Sequence, residues 1–164
     1  CKNELKILGV NLKIPKSKCL TYNETIKLLN KNNVKIKQGE DLTPEAEKKL
    51  CDLFKDEIVF VHSWPQALKP FYIWPEKGFD ALYKSMEIAS GGQRIHKPDL
   101  LIKRLKECKL NPEHFKYYVD AFRYGAPMHA GWSIGLERLT QAMLGLDNIR
   151  EATLFPRDRR RLTP

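Results

Sequence analysis

The feature that most limits the possible folds is a group of three β-rich, apolar runs that follow one another closely along the chain. They cover residues 57–64, 69–74 and 79–88. Strands that lie parallel need a crossover of a dozen or more residues, and the gaps between these runs are far shorter. The runs therefore predict antiparallel neighbours in one sheet, with residues 126–134 as a candidate for another strand.

Helix signals lie on both sides of these runs. Thr21 and Glu24 form the pattern of a capping box, and Thr43 followed by Pro44 is typical of an N-cap and a first helical residue. Apolar residues recur at helical spacing in five segments, which begin near residues 21, 43, 98, 111 and 134. Together these patterns indicate an α+β domain in which an antiparallel sheet is flanked by helices.

The charge balance favours anionic partners. The 164 residues include 29 Lys and Arg against 20 Asp and Glu, which gives a formal net charge of +9. Such an excess suits nucleic acid or nucleotide phosphates, and it is equally compatible with a role in solubility alone. Four arginines between residues 157 and 161 are either a solvated tail or a contact to phosphate or RNA.

The cysteines and the hydropathy pattern indicate a cytoplasmic protein. The four cysteines are widely separated and include no CxxC pair, so free thiols in a reducing compartment are expected rather than a metal site or a disulfide framework. No apolar run reaches the length of a membrane span and no signal peptide is visible, so no membrane partner is expected. The chain begins with Cys1 rather than Met, which leads us to expect a fragment.

The first segment that could carry chemistry is MEIASGGQRIH, residues 86–96. Glu87 and Ser90 offer hard oxygen ligands of the kind that Mg²⁺ accepts beside substrate phosphates. Arg94 offers a planar fork that suits a carboxylate. The two glycines between them allow a ligand to approach the main chain. The alternative is a simple glycine turn with a solvated arginine.

The second such segment is HAGWSIGLERL, residues 129–139. Glycines at 131 and 135 let the backbone pass close to a ligand before a helix begins. Arg138 in the first turn of that helix is unexpected because the helix dipole favours anions there, unless the side chain faces a bound anion. Glu137 beside it could hold the arginine or face a base or an amine. The alternative is a surface ion pair at a helix start.

Further candidates lie outside these two segments. Asp80 precedes Glu87 by seven residues on what is predicted to be one strand, so their side chains would lie on opposite faces. Only a β-bulge would let both reach one metal ion. Lys69 could line a cleft or be exposed, and His62 and His114 are interpreted as structural.

Taken in order, these segments resemble the class II aminoacyl-tRNA synthetases of the aspartyl type that is found in archaea and in the eukaryotic cytosol. FD with the following MEIASGGQRIH, and FRYGAPMHAGWSIGLERL, resemble two of the family's motif segments. GLERLTQAMLGLDNIREATLFPRDRRRLTP resembles the family's C-terminal end, which contains its motif 3. YNETIKLL and GEDLTPEAEKKL also resemble family segments, so the likeness covers nearly the whole chain.

The resemblance implies a role for each site residue. Glu87 would bind ATP and Mg²⁺, and Ser90 would contact both the metal and aspartate. Arg94 would hold the side-chain carboxylate of aspartate, and Arg138 would contact the triphosphate, with Glu87 and Arg138 as the catalytic residues. The ATP site would be completed by Gly135, Leu136 and Glu137. Secondary candidates are His129 for aspartate and Asp80 for the metal.

The implied activity is ATP-dependent activation of L-aspartate to aspartyl-adenylate, followed by transfer to tRNA. The acceptor would be tRNA(Asp), with tRNA(Asn) as a second candidate, and the full-length protein would be a homodimer. Asparaginyl enzymes have a sequence similar to GGSER at the place where this chain has GGQR. Gln93 and Arg94 therefore favour the aspartate branch. Ser85 and Ser133 depart from the family, which usually has Gly at both places.

The resemblance also implies missing parts. Neither the anticodon-binding OB-fold nor motifs 1 and 2 of the family are found before Cys19, and the first residues resemble the linker that follows motif 2. Residues 1–164 are therefore expected to form a single domain, the C-terminal portion of the catalytic domain. Two alternatives stay open: a paralogue related to archaeal asparagine synthetase, and a non-catalytic interaction module derived from the same fold.

Overall fold

A computed structural model, which describes residues 1–163, shows one five-stranded sheet with helices packed around it. The strands are β1 (Lys16–Thr21), β2 (Glu57–His62), β3 (Ile73–Tyr83), β4 (Met86–Arg94) and β5 (Ala130–Ile134). The helices are α1 (Lys2–Ile7), α2 (Tyr22–Lys31), α3 (Pro44–Leu53), α4 (Pro98–Glu107), α5 (Lys116–Arg123) and α6 (Leu136–Leu144). The α+β architecture, a sheet flanked by helices, is confirmed.

The sheet is mixed rather than wholly antiparallel. The order of the strands is β1-β2-β3-β4-β5, and every neighbouring pair is antiparallel except β1 and β2, which run parallel. The sequence pattern did not predict β1, because its residues, KSKCLT, are mostly polar and exposed at the edge of the sheet. Its connection to β2 contains α2 and α3, which supply the crossover that a parallel pair needs.

Two of the predicted strands are wrong in their bounds. The run 69–74 is mostly loop, and β3 begins only at Ile73. The run 79–88 is not one strand but two, because the chain turns back at Lys84 and Ser85, which have φ of 45° and 76°. Neither residue type signals a left-handed turn, so the apolar pattern appeared to continue across it.

The helices begin close to where the caps predict. Glu24 N donates to Thr21 Oγ1 at 3.2 Å and Thr21 N donates to Glu24 Oε2 at 2.7 Å, so the capping box is formed. Thr43 Oγ1 accepts from Ala46 N at 3.3 Å and caps α3. All five predicted helices are present, and α1 is an additional short one. A turn of 3-10 helix at Pro112–Phe115 precedes α5.

Apolar packing fixes the central strands from both ends of the chain. One cluster joins α2, α3 and β2 through Tyr22, Leu29, Leu50 and Val59, which are fully buried. A second joins α4 and α5 through residues that include Leu101. Each fully buried large aliphatic side chain contributes roughly 1.5–3 kcal/mol to folding. The β3–β4 hairpin is therefore held in the middle of the sheet, where the site residues lie.

Within residues 1–163, no helix combines the length and the apolar character needed to cross a membrane.

Candidate functional site

A register shift in the β3–β4 hairpin brings three predicted oxygen ligands to one cavity. Asp80 of β3 pairs directly with Ser90 of β4, whereas Ala81 pairs with Ala89 and Leu82 with Glu87. Ile88 is therefore the extra residue of a β-bulge, and the bulge restores Glu87 to the face that carries Ser90. Asp80, Glu87 and Ser90 all line a cavity of about 220 Å³. The prediction that Asp80 and Glu87 share one strand, with a bulge between them, was wrong: they lie on neighbouring strands, and the bulge lies between Glu87 and Ser90.

Lys69 lines the same cavity, and its positively charged side chain is largely buried there. Its Nζ donates to Asp80 Oδ2 at 2.5 Å, and the side chains of Lys69 and Asp80 are 14% and 11% exposed. Nζ also lies 4.3 Å from the centre of the Trp64 ring. Burial raises the pKa of the Asp80 carboxyl, Lys69 opposes that increase, and the Glu87 carboxylate adds to it. Of the two alternatives for Lys69, the cleft position is the one that the structure shows.

A smaller cavity of about 100 Å³ adjoins the 220 Å³ cavity and contains Arg94. Ser90 and Arg94 are four residues apart on β4, so both side chains lie on one face, and Ser90 lines both cavities. The guanidinium lies 4.8 Å from the centre of the Tyr72 ring. No carboxylate among the described residues forms an ion pair with Arg94. A planar cation is thus available for a carboxylate ligand.

Arg94 is positioned by the backbone of β5. Arg94 N donates to His129 O at 2.9 Å. A Cβ atom at Gly131 would lie 3.1 Å from Arg94 Nη2, so the guanidinium rests on bare main chain at that point. At Gly91, a Cβ atom would lie 2.3 Å from Trp132 Cβ, so only glycine allows β4 and β5 to pair there. Gly131 thus makes room for the Arg94 guanidinium, and Gly91 allows the strand pairing beside it.

A wide depression of about 670 Å³ opens on the other side of Glu87 and contains Arg138. Arg138 lies in the first turn of α6, as predicted, and its Nη1 donates to Glu87 O at 3.0 Å. Gly135 is the N-cap of α6, and Gly135 N donates to Ile88 O at 2.9 Å. The helix start is thereby joined to the β-bulge that presents Glu87.

Four predicted residues are not brought into these cavities, and one of them is Gly135, the N-cap of α6. Leu136 and Glu137 are exposed in the first turn of α6 and line none of the three. The His129 ring stacks 5.9 Å from the Phe122 ring, with Nδ1 3.0 Å from Pro127 O. Of the His129 atoms, only the backbone carbonyl oxygen contacts a predicted site residue, by accepting a hydrogen bond from Arg94 N. The four tail arginines are exposed. The aspartate among them, Asp158, forms an ion pair with Arg150 at 2.5 Å.

Glu47 is a site residue that the sequence reading missed. It lies in α3 and lines both the 220 Å³ cavity and the depression beside Arg138. Burial raises the pKa of its carboxyl, as does the Glu87 carboxylate, whereas Arg138 lowers it. A signal was available: Glu47 precedes Leu50 and Cys51 by three and four residues, so it shares their buried face.

Known proteins are similar to this chain over nearly its whole length. The family model of the class II tRNA synthetases (D, K and N) matches residues 2–159. The aspartate–tRNA(Asp) ligase of Thermoplasma volcanium is 48% identical over 170 residues, which cover 98% of this chain and 40% of the relative. The aspartate–tRNA(Asp/Asn) ligase of Methanothermobacter thermautotrophicus is 45% identical, with 100% of this chain and 39% of the relative covered. The chain therefore spans about two fifths of the length of these relatives.

Solved structures show the same similarity. The aspartyl-tRNA synthetase of Entamoeba histolytica is 40% identical with a TM-score of 0.84, over 89% of this chain and 32% of that one. The asparaginyl-tRNA synthetase of Pyrococcus horikoshii, complexed with asparaginyl-adenylate, is 33% identical with a TM-score of 0.87, over 99% of this chain and 41% of that one. Relatives with aspartate names and with asparagine names are thus both similar in fold.

Proposed function

The chain belongs to the class II tRNA synthetases (D, K and N), and from that premise we propose that it forms one wall of a site that activates L-aspartate with ATP. The product would be aspartyl-adenylate, and its aspartyl group would then be transferred to tRNA. The names of the relatives support aspartate as the amino acid. Because some of those names include both tRNA(Asp) and tRNA(Asn), we propose tRNA(Asp) as the acceptor and tRNA(Asn) as the second acceptor to test.

The observation that carries this proposal is a continuous row of three cavities along β4. Arg94 lies in the first, Ser90 lines the first and second, Glu87 lines the second and third, and Arg138 lies in the third. An arginine for a carboxylate thus stands at one end, and an arginine for phosphates stands at the other. A molecule with a carboxylate at one end and a polyphosphate partner at the other matches this order of charges.

In the proposed mechanism, the chain binds and orients its substrates rather than forming a covalent bond to them. Arg94 holds the side-chain carboxylate of aspartate, so that the α-carboxylate extends towards Ser90 and Glu87. Arg138 neutralises the triphosphate as an aspartate oxygen attacks the α-phosphate and pyrophosphate leaves. Orientation and charge neutralisation of this kind account for most of the rate enhancement in phosphate chemistry.

The donors around the second cavity fit Mg²⁺. Two carboxylates and a hydroxyl are the hard oxygen ligands that this ion prefers, and it usually keeps waters and shares substrate phosphates. Among the described residues, no group of three or more His, Cys, Asp or Glu side chains could hold a metal ion. An ion that completes its shell with phosphates and water is consistent with that finding. Glu87 and Ser90 would hold the ion, with Asp80 as the secondary ligand, and the ion would supply positive charge against the phosphates.

We further propose that residues 1–164 are the C-terminal portion of a catalytic domain in a longer protein. The share of the relatives that the chain covers supports this assignment. The full-length protein would be a homodimer, with motifs 1 and 2 and its anticodon-binding domain in the remaining part.

The test is ATP–pyrophosphate exchange with the full-length protein and a set of amino acids. We expect exchange that depends on L-aspartate and is at least roughly a hundredfold faster than with L-asparagine or L-glutamate, because Arg94 selects a carboxylate at one fixed distance. Charging of tRNA(Asp) and tRNA(Asn) transcripts then defines the acceptor. Exchange with asparagine as good as with aspartate, or no exchange with either, would contradict the proposal.

A further inference from the structure

The cavity between Arg94 and Arg138 has an unusual charge composition. Four carboxylates line it, those of Asp41, Glu47, Asp80 and Glu87, and Lys69 is the single cation among its lining residues. Their combined negative charge favours divalent cations in the cavity, although among the described residues no three of these carboxylates are placed to hold one ion together. The position of Lys69 therefore affects whether the cavity binds a divalent cation in the absence of a nucleotide.

Lys69 is held in place from three directions. Its Nζ lies over the Trp64 ring, and that ring is 2% exposed and anchored because Nε1 donates to Val61 O at 2.9 Å. A Cβ atom at Gly78 would lie 3.4 Å from Cγ and from Cδ of Lys69, so the aliphatic part of the side chain packs on the bare backbone of β3. The ammonium group is consequently directed to one partner, Asp80 Oδ2, at 2.5 Å.

The pair also limits what Asp80 can do. A lysine nitrogen occupies Oδ2, which leaves Oδ1 for other partners, and Asp80 stands directly opposite Ser90 in the sheet register. A cation that approached Ser90 and Glu87 would meet a carboxylate whose charge is already balanced. Only additional anionic ligands, such as phosphate oxygens, would make up for that missing charge.

We propose that Lys69 is a positioning residue that serves as the built-in counter-cation of Asp80, so that the cavity binds a divalent cation tightly only together with the phosphates of a nucleotide. This inference rests on the proposed function, since it concerns the same metal site. It assigns to Lys69 a role through Asp80 and no contact with the substrate.

The experiment uses Mn²⁺ as the probe and the full-length protein, with binding followed by water-proton relaxation in the absence and in the presence of ATP. The variants are Lys69→Met, Lys69→Arg and, as a matched control, Lys77→Met, which removes an exposed lysine from β3, the strand that carries Asp80. Without nucleotide, we expect Lys69→Met to bind Mn²⁺ roughly tenfold more tightly than the wild type, because an unbalanced Asp80 takes the ion as its new partner. Lys69→Arg and Lys77→Met should remain within about twofold of the wild type, since both keep a cation beside Asp80.

A second substitution links the effect to Asp80. The double variant Lys69→Met with Asp80→Asn should lose the gain in Mn²⁺ affinity, as a double-mutant cycle requires of coupled residues. With ATP present, the difference between Lys69→Met and the wild type should become smaller. Unchanged or weaker Mn²⁺ binding by folded Lys69→Met would overturn the proposal, because a merely structural ion pair would give that result.

The proposal stays testable if Lys69→Met does not fold. In a background that keeps Lys69, Asp80→Asn should weaken binding of Mn²⁺ with ATP by less than about twofold, whereas Glu87→Gln should weaken it by roughly tenfold. An equal loss in both variants would make Asp80 an unbalanced direct ligand and would refute the role of Lys69. Failure of the proposed function would appear separately, as the absence of aspartate-dependent exchange in the wild type, and would leave these binding comparisons valid.

Discussion

At the scale of single residues, Gly131 is the place where a missing side chain matters most for Arg94, at the proposed amino-acid end of the site. A Cβ atom there would lie 3.1 Å from Arg94 Nη2, which is closer than most real contacts. We expect Gly131→Ala to displace the guanidinium by a few tenths of an ångström and to raise the KM for aspartate roughly tenfold. The KM for ATP should change little, because Arg138 lies at the other end of the row.

The measurement is ATP–pyrophosphate exchange with the full-length protein while aspartate and ATP are varied separately. Ala130→Ser is the matched control, because Ala130 is the exposed neighbour on the same strand. Equal kinetic constants for Gly131→Ala and the control would show that Arg94 does not depend on the bare backbone of β5.

Single residues also show which parts of the candidate site could not be predicted from the sequence. Glu87, Ser90 and Arg94 were predicted as ligands because their oxygen and guanidinium groups stand in one short segment beside glycines. The contact of Lys69 with Asp80 joins residues eleven positions apart through a loop, and no local pattern encodes such a distance. Glu47 was overlooked because its buried neighbours were interpreted only as an apolar stripe. Contacts that tertiary packing creates are the ones that the sequence alone left undetermined.

At the scale of elements, the hairpin turn between β3 and β4 is the clearest departure from the sequence prediction. Both central residues, Lys84 and Ser85, have positive φ, which a side chain disfavours by about 1 kcal/mol or more for each residue. Ser85→Gly should therefore raise the free energy of unfolding by about 1 kcal/mol, because glycine adopts this conformation without strain. The site residues on either side of the turn keep their register.

Urea denaturation of the full-length protein, followed by circular dichroism, measures this change. The control is Ser17→Gly in the exposed strand β1, where φ is not positive, and there the same substitution should lower stability by several tenths of a kcal/mol. A loss of stability with Ser85→Gly would mean that the left-handed turn is not the strained point of the hairpin.

The elements that the sequence predicted well are those with local causes. The caps at Thr21 and Thr43 are formed as the pattern indicated, because a side-chain oxygen and a backbone N–H three residues on are enough to start a helix. β1 was missed because its polar residues carry no strand signal and its place depends on β2, which pairs with it from far along the chain. Edge strands with one solvated side are generally harder to recognise.

At the scale of the whole molecule, the two edges of the described sheet differ in character. β1 carries the exposed Lys16 and Lys18, and charges at a sheet edge discourage pairing with another chain. β5 instead exposes Trp132 and Ile134, which are 63% and 43% accessible, and Leu136 follows with 70%. An apolar edge of this kind is a surface for association.

Residues 1–164 produced alone are therefore expected to self-associate through β5 and to show no ATP–pyrophosphate exchange. Sedimentation velocity measures the association. Trp132→Lys should shift the isolated chain towards the monomer, whereas the control Tyr117→Lys, at a side chain that is 91% exposed on α5, should not. A monomeric wild-type chain, or exchange at the rate of the full-length protein, would contradict this expectation.

The central claim is that one row of cavities holds a carboxylate at Arg94 and the phosphates of ATP at Arg138. The most direct test is a crossed pair of substitutions, Arg94→Lys and Arg138→Lys, in ATP–pyrophosphate exchange with the full-length protein. Loss of a charge-assisted, two-point contact costs about 1.5–3 kcal/mol, which corresponds to roughly ten- to a hundredfold in affinity. We predict that Arg94→Lys raises the KM for aspartate by that factor and leaves the KM for ATP nearly unchanged, and that Arg138→Lys does the reverse. Equal effects of both substitutions on both substrates, or no effect of either, would contradict the account.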